Sequence, residues 1–459
     1  MKNWNQLFIR QGFNLKEMGE NQFDCSKESE VNLKFLRECL LKLDVEFTLV
    51  RNVLTIGTGP VIESDWLRAV DFQDRGHFGD WFTPESEAPK IHELDTYLSG
   101  LVRQFNRLGL YTIGSCDGHG NRNPYLLFRP GVDMEKVEMI FRAISTRRYR
   151  IRNRNVTFLC NRYDLLDIAE GIQKIEKEWL NHNEEFMRKQ LFFHELERVL
   201  SINGESGNEG EIRDYVVQVL TPFVDHIAVD QSGNILAQKK YGSGNGPCIL
   251  LNAHLDTYES FVPGRKIVKD NGVWSSSEGI LGADDRAGVA IILQMARNLQ
   301  QSHFRGTVKF IFTVKEEVGL VGASQVHEYF LWDVDAALVL DRRGSGDIVV
   351  SCGRHERFCD QNYGNFIEET AMEAGLTGWK CTAGGSSDTR IWASHGIQCV
   401  NLSVGYAHEH TSSETLDIES CYGTVLLVDR YFERYRELIR VLGRRDYTSD
   451  TVRIMKKAQ

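Results

Sequence analysis

The pattern of apolar and polar positions after about residue 190 alternates between strand-like runs and helix-like spacing. Strongly apolar runs such as residues 248–251 and 308–314 are typical of buried strands, and residues 287–299 carry apolar side chains at helical spacing. Similar patterns predict strands at 225–238 and 336–341, and helices at 194–201, 210–217 and 323–329. We therefore predict a three-layer α/β/α domain over residues 191–445, with a mixed, largely parallel sheet that has helices on both faces.

The first 190 residues have a different pattern, which predicts a small α/β domain of the α+β sandwich type. Strands are predicted at 111–115, 125–129 and 149–160, and helices at 91–108, 134–145 and 164–186. The last of these helices would link residues 1–190 to the second domain. We recognise no family resemblance in this region, and its role stays open.

The composition favours an enzyme of the cell interior. Hydrophobic residues make up 42% of the 459 positions, yet no stretch approaches the roughly 20 apolar residues of a membrane span. The first residues lack the apolar core of a signal peptide, and ten scattered cysteines favour reduced thiols over a disulfide framework. The net charge of −10 argues against nucleic-acid binding. We expect a cytoplasmic protein without membrane or nucleic-acid partners, and its oligomeric state stays open.

Polar motifs follow the predicted strands and turns of the second domain. The strand pattern at 308–314 runs directly into KEEVG, and charged side chains at the end of a buried strand are typical of α/β active sites. Each motif alone has an ordinary explanation, such as a helix cap or a solvated loop, but the ordered set points to a metal-dependent hydrolase. The motifs are HLD at 254–256, GADDRAG around Asp284, KEEVG at 315–319, VLDRRG around Asp341, GGSSD ending at Asp388 and HEHTSSE around His410.

Five residues of these motifs are suited to holding two divalent cations. A hydrolase of unactivated amides needs hydroxide near neutral pH and a stabilised oxyanion, and two cations that share a bridging water provide both. We assign His254, Asp341 and one oxygen of Asp284 to the first cation. Glu317, His410 and the second oxygen of Asp284 are assigned to the other. Zn²⁺ is the commonest occupant of such imidazole and carboxylate sites, with Co²⁺ or Mn²⁺ as substitutes.

Two further carboxylates of the motifs are left for catalytic roles. Glu316 is the candidate general base, which takes the proton of the bridging water and passes it to the leaving nitrogen. Asp256 comes two residues after a histidine on a strand, so its side chain points to the same side and can orient His254.

Two other assignments stay open at this point. His408 competes with His410 for the last ligand position, because Ala-His-Glu-His presents both. Asp388 follows Gly384 and Gly385, a position that suits a helix cap.

Residues 190–440 resemble the co-catalytic dinuclear zinc exopeptidases, which include aminopeptidases, carboxypeptidases, di- and tripeptidases and related deacylases. The match rests on the HxD histidine His254, the Asp-Asp pair beginning at Asp284, the Glu-Glu pair Glu316 and Glu317, a later strand-end aspartate, Asp341, and a final histidine, His410, followed by Thr-Ser-Ser-Glu. The resemblance implies the same metal site, and a cis peptide bond between Asp284 and Asp285. It also favours His410 over His408 as the last ligand, and it implies that Asp388 lies close to the site without binding metal, with the helix cap as the alternative. The short gaps from 254 to 284 and from 341 to 388 indicate a catalytic domain without an inserted lid domain.

The resemblance implies a hydrolase of peptides or small amides, and the lidless layout favours an aminopeptidase. A carboxypeptidase, or a deacylase of small N-acyl compounds, would use the same metals. A protein of another class, a non-catalytic peptide-binding scaffold, is the remaining alternative. Retention of Glu316 together with all five candidate ligands argues against a scaffold, which would have no physical need for them.

Two motifs of the first domain have no place in this site. In Ser115–Gly120 the residues Cys116 and His119 could bind a metal ion, but one cysteine and one histidine are too few for a closed site. A glycine-rich hairpin is the favoured interpretation, with a loop that reaches the substrate as the alternative. The basic cluster from Arg147 to Arg154 either holds an acidic ligand or forms the solvated face of an edge strand, which we favour.

Overall fold

The computed structural model describes residues 2–19, 21–72, 75, 89–145, 148–353 and 355–443. The chain divides into two compact units, Met1–Leu191 and Phe192–Gln459. Among the described helices, none has the length and apolar character needed to cross a membrane.

The first unit consists of two halves with the same order of elements: helix, two strands, helix, two strands, helix. Each half forms a four-stranded antiparallel sheet, with strand orders β1-β2-β4-β3 and β5-β6-β8-β7. The first half contains α1 (Trp4–Gln11), β1 (Lys16–Gly19), β2 (Gln22–Asp24), α2 (Glu30–Lys42), β3 (Phe47–Val50), β4 (Val53–Ile56) and α3 (Glu63–Val70). The second contains α4 (Ser99–Arg107), β5 (Thr112–Cys116), β6 (Tyr125–Phe128), α5 (Met134–Ala143), β7 (Tyr149–Arg152), β8 (Asn155–Phe158) and α6 (Asp164–Gln173).

The helix predicted at 164–186 is wrong as a single element. Helix α6 ends at Gln173, and a 3-10 turn, Lys177–Asn181, follows it. The next helix, α7, spans Glu184–Leu200 and contains the boundary between the two units. The side chain of Asn183 accepts the N–H of Phe186 at 2.9 Å and so caps the start of a new helix. The apolar periodicity had instead predicted that one helix continues through this position.

The basic residues around position 150 lie on an edge strand, as the alternation predicted. Strand β7 is the last strand of its sheet, and Arg150 and Arg152 are exposed while Tyr149 and Ile151 are partly buried. Arg147, the first residue of the predicted cluster, lies outside the described residues.

The second unit is built on a nine-stranded mixed sheet with the path β17-β16-β19-β15-β11-β14-β10-β9, and β18 pairs with β16. Its strands are β9 (His226–Val229), β10 (Ile235–Tyr241), β11 (Cys248–His254), β14 (Gly306–Thr313), β15 (Ala336–Arg342), β16 (Asp347–Cys352), β17 (Glu356–Arg357), β18 (Lys380–Gly384) and β19 (Gln398–Ser403). The helices after α7 are α8 (Gly210–Leu220), α9 (Ala283–Asn298), α10 (Val321–Gln325), α11 (Gln361–Glu373), α12 (Asp388–Ser394), α13 (Ile418–Glu433) and α14 (Tyr435–Gly443).

The centre of this sheet is parallel and buried on both faces. Strands β14, β11, β15 and β19 pair in parallel, and every residue of β11 is buried. Successive residues of β11 join different hydrophobic clusters, because Ile249 and Leu251 pack on one side and Leu250 on the other. Two buried faces explain the strongly apolar runs in the sequence. The predicted mixed, largely parallel sheet is confirmed.

The segment between His254 and Asp284 forms a hairpin, as its length indicated. Strands β12 (Ile267–Asp270) and β13 (Val273–Ser276) join β20 (Tyr406–Ala407) and β21 (Thr415–Asp417) in a small sheet of order β12-β13-β21-β20. Between Asp341 and Asp388 the described chain forms β16, β17, α11 and β18.

Candidate active site

The candidate metal ligands lie where neighbouring strands of the parallel sheet end. His254 is the last residue of β11, Asp341 is the next-to-last residue of β15, and Glu317 follows the end of β14. Asp284 lies near the start of α9, and His410 lies between β20 and β21. Because β11 runs parallel to both β14 and β15, the carboxyl ends of these strands meet at one edge of the sheet. We call these five residues the sheet-edge cluster.

Asp284 lies between the two histidines and faces each with a different carboxylate oxygen. Its Oδ1 is 3.1 Å from His254 Nε2, and its Oδ2 is 3.3 Å from His410 Nε2. His254 Nε2 is also 3.7 Å from Asp341 Oδ1, and His410 Nε2 is 2.9 Å from Glu317 Oε1. The cluster thus consists of two groups that share Asp284.

These separations fit a pair of divalent cations. Donor atoms that bind one tetrahedral Zn²⁺ at its usual N and O distances lie about 3.3–3.6 Å apart. The four separations run from 2.9 to 3.7 Å, and ligand atoms of His254, Asp284 and Glu317 lie within 4.8 Å of one another. Imidazole and carboxylate donors suit Zn²⁺ and its substitutes. The donor set and its spacing therefore agree with the two predicted cations.

The electrostatics of the site also favour cations. Burial, reinforced by the charge of Asp341, raises the pKa of Glu316 to about 10, and burial raises that of Glu317 to about 7. Burial likewise raises the pKa of Asp341 to about 6. The hydrogen bond to Asp284 raises the pKa of His410 to about 9. Burial and mutual repulsion therefore disfavour the ionised forms of these carboxylates, and divalent cations would stabilise them.

Asp256 holds the turn that carries Glu316 and Glu317. Its Oδ1 accepts the N–H of Glu316 at 3.0 Å, and its Oδ2 accepts the N–H of Glu317 at 3.1 Å. Ser206 Oγ donates to the same Oδ2 at 2.7 Å. His254 Nδ1 lies 2.9 Å from the backbone oxygen of Asp256 and 3.5 Å from its Oδ1. Asp256 therefore contacts His254 mainly through its backbone oxygen, and its carboxylate accepts hydrogen bonds from the backbone of Glu316 and Glu317.

Glu414, the last residue of HEHTSSE, fixes the backbone on both sides of Ala283. Its carboxylate accepts the N–H of Gly282 at 2.7 Å and that of Asp284 at 3.0 Å. The peptide bond between Asp284 and Asp285 is cis, as the resemblance implied.

Asp285 is a neighbour of the cluster that the sequence motifs did not assign. Ligand atoms of Asp285, His254 and Asp341 lie within 4.8 Å of one another. However, Asp285 Oδ2 accepts the N–H of His254 at 3.2 Å, and its Oδ1 accepts the N–H of Gly288 at 3.0 Å. Because both oxygens accept backbone N–H groups, Asp285 fits the role of a support for β11 and α9.

Asp341 is held by Asn401 on the neighbouring strand β19 and by Tyr406 on β20 of the small sheet. Asn401 accepts the N–H of Asp341 at 3.0 Å and donates to its backbone oxygen at 2.7 Å. The hydroxyl of Tyr406 donates to Asp341 Oδ1 at 3.1 Å. Asn401, Tyr406 and Ser206 were missed by sequence reasoning, since nothing in their local pattern distinguishes them, whereas Glu414 already belonged to a quoted motif.

The residues that the sequence left open have different contacts. His410 Nε2 lies 3.3 Å from Asp284 Oδ2, and the His410 ring stacks on Tyr258 at 4.5 Å between centroids. His408 offers its backbone oxygen to Thr411 Oγ1 at 2.7 Å. Asp388 is buried and its Oδ2 accepts a hydrogen bond from Thr313.

Asp388 does not act as a helix cap, because Ser387 is the N-cap of α12 and accepts the N–H of Thr389. Burial raises the pKa of Asp388 to about 7. These observations favour a buried carboxylate close to the site over the capping role.

The sheet and its edge of histidines and carboxylates define the second unit as a metallo-exopeptidase domain, and comparisons with known proteins agree. Residues 262–427 match the family model of the M42 glutamyl aminopeptidases. A putative aminopeptidase of Acetivibrio thermocellus is 23% identical over 332 residues, in an alignment that covers 53% of this chain and 98% of that protein. The cytosol non-specific dipeptidase of Escherichia coli is 27% identical over 199 residues, covering 41% of this chain and 40% of that protein.

Among solved structures, aminopeptidase PepT of Bacillus cereus superposes with a TM-score of 0.49 at 21% identity, covering 54% of this chain and 99% of that one. The predicted resemblance to the dinuclear metal exopeptidases is confirmed by the family match. The enzyme is accordingly a metal-dependent hydrolase of peptides.

Proposed function

We propose that this enzyme is an aminopeptidase, that residues 191–445 form its catalytic domain and that residues 1–190 form a separate domain. The observation that carries the choice of substrate end is the match of residues 262–427 to the family model of the M42 glutamyl aminopeptidases. The putative aminopeptidase of Acetivibrio thermocellus, which aligns with 53% of this chain, supports the same choice. A carboxypeptidase would instead need a cationic side chain for the terminal carboxylate of its substrate.

The arginines of the ligand motifs already have hydrogen-bond or ion-pair partners, which supports an aminopeptidase over a carboxypeptidase. Arg286 donates to the backbone oxygens of Leu255 and Ile202. Arg342 and Arg343 form ion pairs, the former with Asp347 at 2.9 Å and the latter with Glu409 at 2.7 Å. A substrate carboxylate would therefore have to compete with these existing acceptors.

Two divalent cations, with Zn²⁺ as the proposed species, fit the two groups that share Asp284. His254, Asp341 and Asp284 Oδ1 would hold one of them. Glu317, His410 and Asp284 Oδ2 would hold the other. When bound, such cations make water more acidic and stabilise negative charge on the substrate carbonyl oxygen.

Glu316 is the proposed general base. Its carboxylate takes a proton from the attacking water and delivers it to the leaving nitrogen, so one group serves both halves of the reaction. The hydrogen bonds from the Glu316 and Glu317 backbone to Asp256 fix the position of this carboxylate. Asp256 is thus a positioning residue for the base.

The substrate class can be tested with metal-depleted protein. Zn²⁺, Co²⁺ or Mn²⁺ is added back in turn, and hydrolysis of aminoacyl chromogenic amides is compared with that of their N-acetyl counterparts. We expect metal-dependent release from the free-amine substrates alone. Cleavage of the blocked substrates would show a deacylase, and cleavage of N-blocked peptides with a free carboxylate would show a carboxypeptidase.

The adjacent glutamates give a matched pair for testing the roles of base and ligand. Glu316→Gln should abolish turnover while the metal content per chain stays that of the unaltered enzyme, measured by inductively coupled plasma mass spectrometry. Glu317→Gln should lower the metal content as well as turnover. Equal loss of metal in both variants would contradict the assignment of Glu316 as a base.

A further inference from the structure

The two halves of the first unit differ at one connection. In the first half β1 ends at Gly19 and β2 begins at Gln22, whereas in the second half β5 ends at Cys116 and β6 begins at Tyr125. The longer connection, residues 117–124, contains the 3-10 turn Gly118–Gly120. Insertions that distinguish one repeat from its partner are common places for function.

Three different donor groups meet at this connection. Ligand atoms of Asp95, Cys116 and His119 lie within 4.8 Å of one another, and His119 Nε2 is 4.0 Å from Asp95 Oδ1. We call these three residues the loop cluster. Cys116 ends β5 and His119 lies in the 3-10 turn, while Asp95 is remote in sequence and precedes α4.

Backbone hydrogen bonds hold the donors of the loop cluster in place. The N–H of Asp117 donates to Asp95 Oδ2 at 2.8 Å, and the N–H of Gly118 donates to Cys116 Sγ at 3.4 Å. His119 has a φ of 47° in the left-handed region, and its N–H donates to Asp117 Oδ1 at 2.8 Å. The loop is therefore folded around the carboxylate and the sulfur.

Asp117 also lies beside the imidazole. Its Oδ1 is 3.4 Å from His119 Nδ1, whereas Nε2 is the ring nitrogen that approaches Asp95. A carboxylate beside one ring nitrogen favours the proton on that nitrogen and leaves the other as a lone-pair donor, which is the usual arrangement behind a metal-bound histidine.

The charge around the loop cluster suits a cation. Asp95 and Asp117 are each only 4% exposed, so two carboxylates are largely withdrawn from water next to a thiol and an imidazole. The guanidinium of Arg162 lies 3.9 Å from Asp117 Oδ2, beyond hydrogen-bond distance, and stacks on Tyr97. A cation among the three donors would offset the cost of burying the carboxylates.

We propose that the loop cluster binds one divalent cation of the Zn²⁺ type, separate from the pair at the sheet edge, through Cys116 Sγ, His119 Nε2 and Asp95 Oδ1. Donor atoms on a tetrahedral Zn²⁺ lie about 3.3–3.8 Å apart. The three side chains therefore need to move together by less than about 1 Å to reach the distances of a bound ion. Thiolate, imidazole and carboxylate together favour a borderline cation over Mg²⁺ or Ca²⁺. Binding releases the thiol proton of Cys116 to solvent. Three protein donors leave the fourth tetrahedral position for water or an added ligand, as in reactive rather than purely structural zinc sites.

The thiolate gives this proposal a spectroscopic test, because the sheet-edge cluster contains no cysteine. Co²⁺ bound by a thiolate shows charge-transfer absorption in the near ultraviolet, which carboxylate and imidazole ligands do not give. We expect full-length protein loaded with Co²⁺ to show this band, Cys116→Ser to lack it, and Cys160→Ser to retain it. Cys160 is a matched control because it is a partly buried cysteine of the same unit. Absence of the band in the unaltered chain, or its survival in Cys116→Ser, would overturn the proposal.

Metal content provides a second test that does not depend on sulfur. Asp95→Asn keeps an oxygen for the Asp117 N–H but removes the anionic donor, so its fold should be retained, as circular dichroism can check. At a buffered free Zn²⁺ concentration we expect this variant to hold one ion per chain fewer than the unaltered protein. Equal metal content would contradict a role for Asp95.

A reactive cysteine paired with His119 is the competing chemistry for the same residues. The rate of Cys116 alkylation by iodoacetamide distinguishes the two. Protection by added Zn²⁺ of at least about tenfold supports the metal site, whereas an unchanged rate with and without Zn²⁺ counts against it.

Discussion

The sheet-edge cluster and the loop cluster bring metal-binding side chains together in two different ways. The sheet-edge residues follow or end strands of one parallel sheet, or lie in the segments that lead back to its edge. The loop cluster combines a strand end, a 3-10 turn and a residue that precedes a helix. The first arrangement follows from topology, since parallel strands must end on the same side. The second depends on how one loop is folded.

The chemistry of the two clusters differs as well. The sheet edge offers imidazoles and carboxylates with Asp284 shared between two groups, which suits two cations close together. The loop cluster offers one sulfur, one nitrogen and one oxygen, which suits a single softer cation. The comparison therefore predicts that changes in one cluster leave the metal at the other in place.

The largest effect should follow from removing the shared ligand. Asp284→Ala takes one donor from both cations at the sheet edge, so peptide hydrolysis should fall by at least about a thousandfold with loss of both ions. The near-ultraviolet band of the Co²⁺-loaded loop cluster should stay unchanged in the same sample. Loss of that band together with activity would show that the two clusters are not independent.

A smaller effect is expected where a side chain positions the base without touching metal. Asp256→Asn leaves one acceptor oxygen for two backbone N–H groups, so the turn of Glu316 and Glu317 loosens. We expect kcat to fall by about 10- to 100-fold, with two metal ions retained at the sheet edge and little change in KM. A loss of metal equal to that of Glu317→Gln would instead make Asp256 part of the metal site.

The difference between the clusters also explains how much could be predicted from sequence. The core of the second unit was predictable because strongly apolar runs such as those in β11 and β14 are typical of strands that are buried on both faces. Each run ends in a polar motif, so its ligand candidates could be placed at strand ends without knowing the fold in detail. The hairpin after His254 followed from the length of the gap alone.

The first unit was harder to predict for physical reasons. Its strands have three to five residues, too short to show clear alternation, and the elements before residue 90 were not predicted at all. The repeat of two similar halves is visible in the strand orders but not in the sequence pattern. Asp95 joins the loop cluster only through tertiary structure, and no local signal marks it. In the same way Tyr406 and Asn401 reach Asp341 from other strands.

The supporting aspartates give a direct comparison between the clusters. Asp117 faces the ring of His119, while Asp256 faces backbone N–H groups. Asp117→Asn should weaken Zn²⁺ binding at the loop cluster by about tenfold, because the imidazole loses its charged partner. Competition with a chromophoric zinc chelator measures this change, with Cys160→Ser as the control. An unchanged affinity would mean that the loop itself, and not Asp117, orients His119.

The smallest effect should come from the outermost hydrogen bond of the sheet edge. Ser206 donates to Asp256 Oδ2, an oxygen that also accepts the N–H of Glu317. Ser206→Ala removes one hydroxyl donor to the Asp256 carboxylate. The hydrogen bonds that this carboxylate accepts from the N–H groups of Glu316 and Glu317 stay intact. A net loss of about 1 kcal/mol corresponds to a fall in kcat of about fivefold. Steady-state kinetics on the same aminoacyl amide, beside Asp256→Asn, measures the ratio of the two effects. An equal fall in kcat for Ser206→Ala and Asp256→Asn would contradict this view. The hydrogen bonds from the Glu316 and Glu317 N–H groups to Asp256 would then contribute nothing, and the position of the glutamate pair would depend on the serine instead.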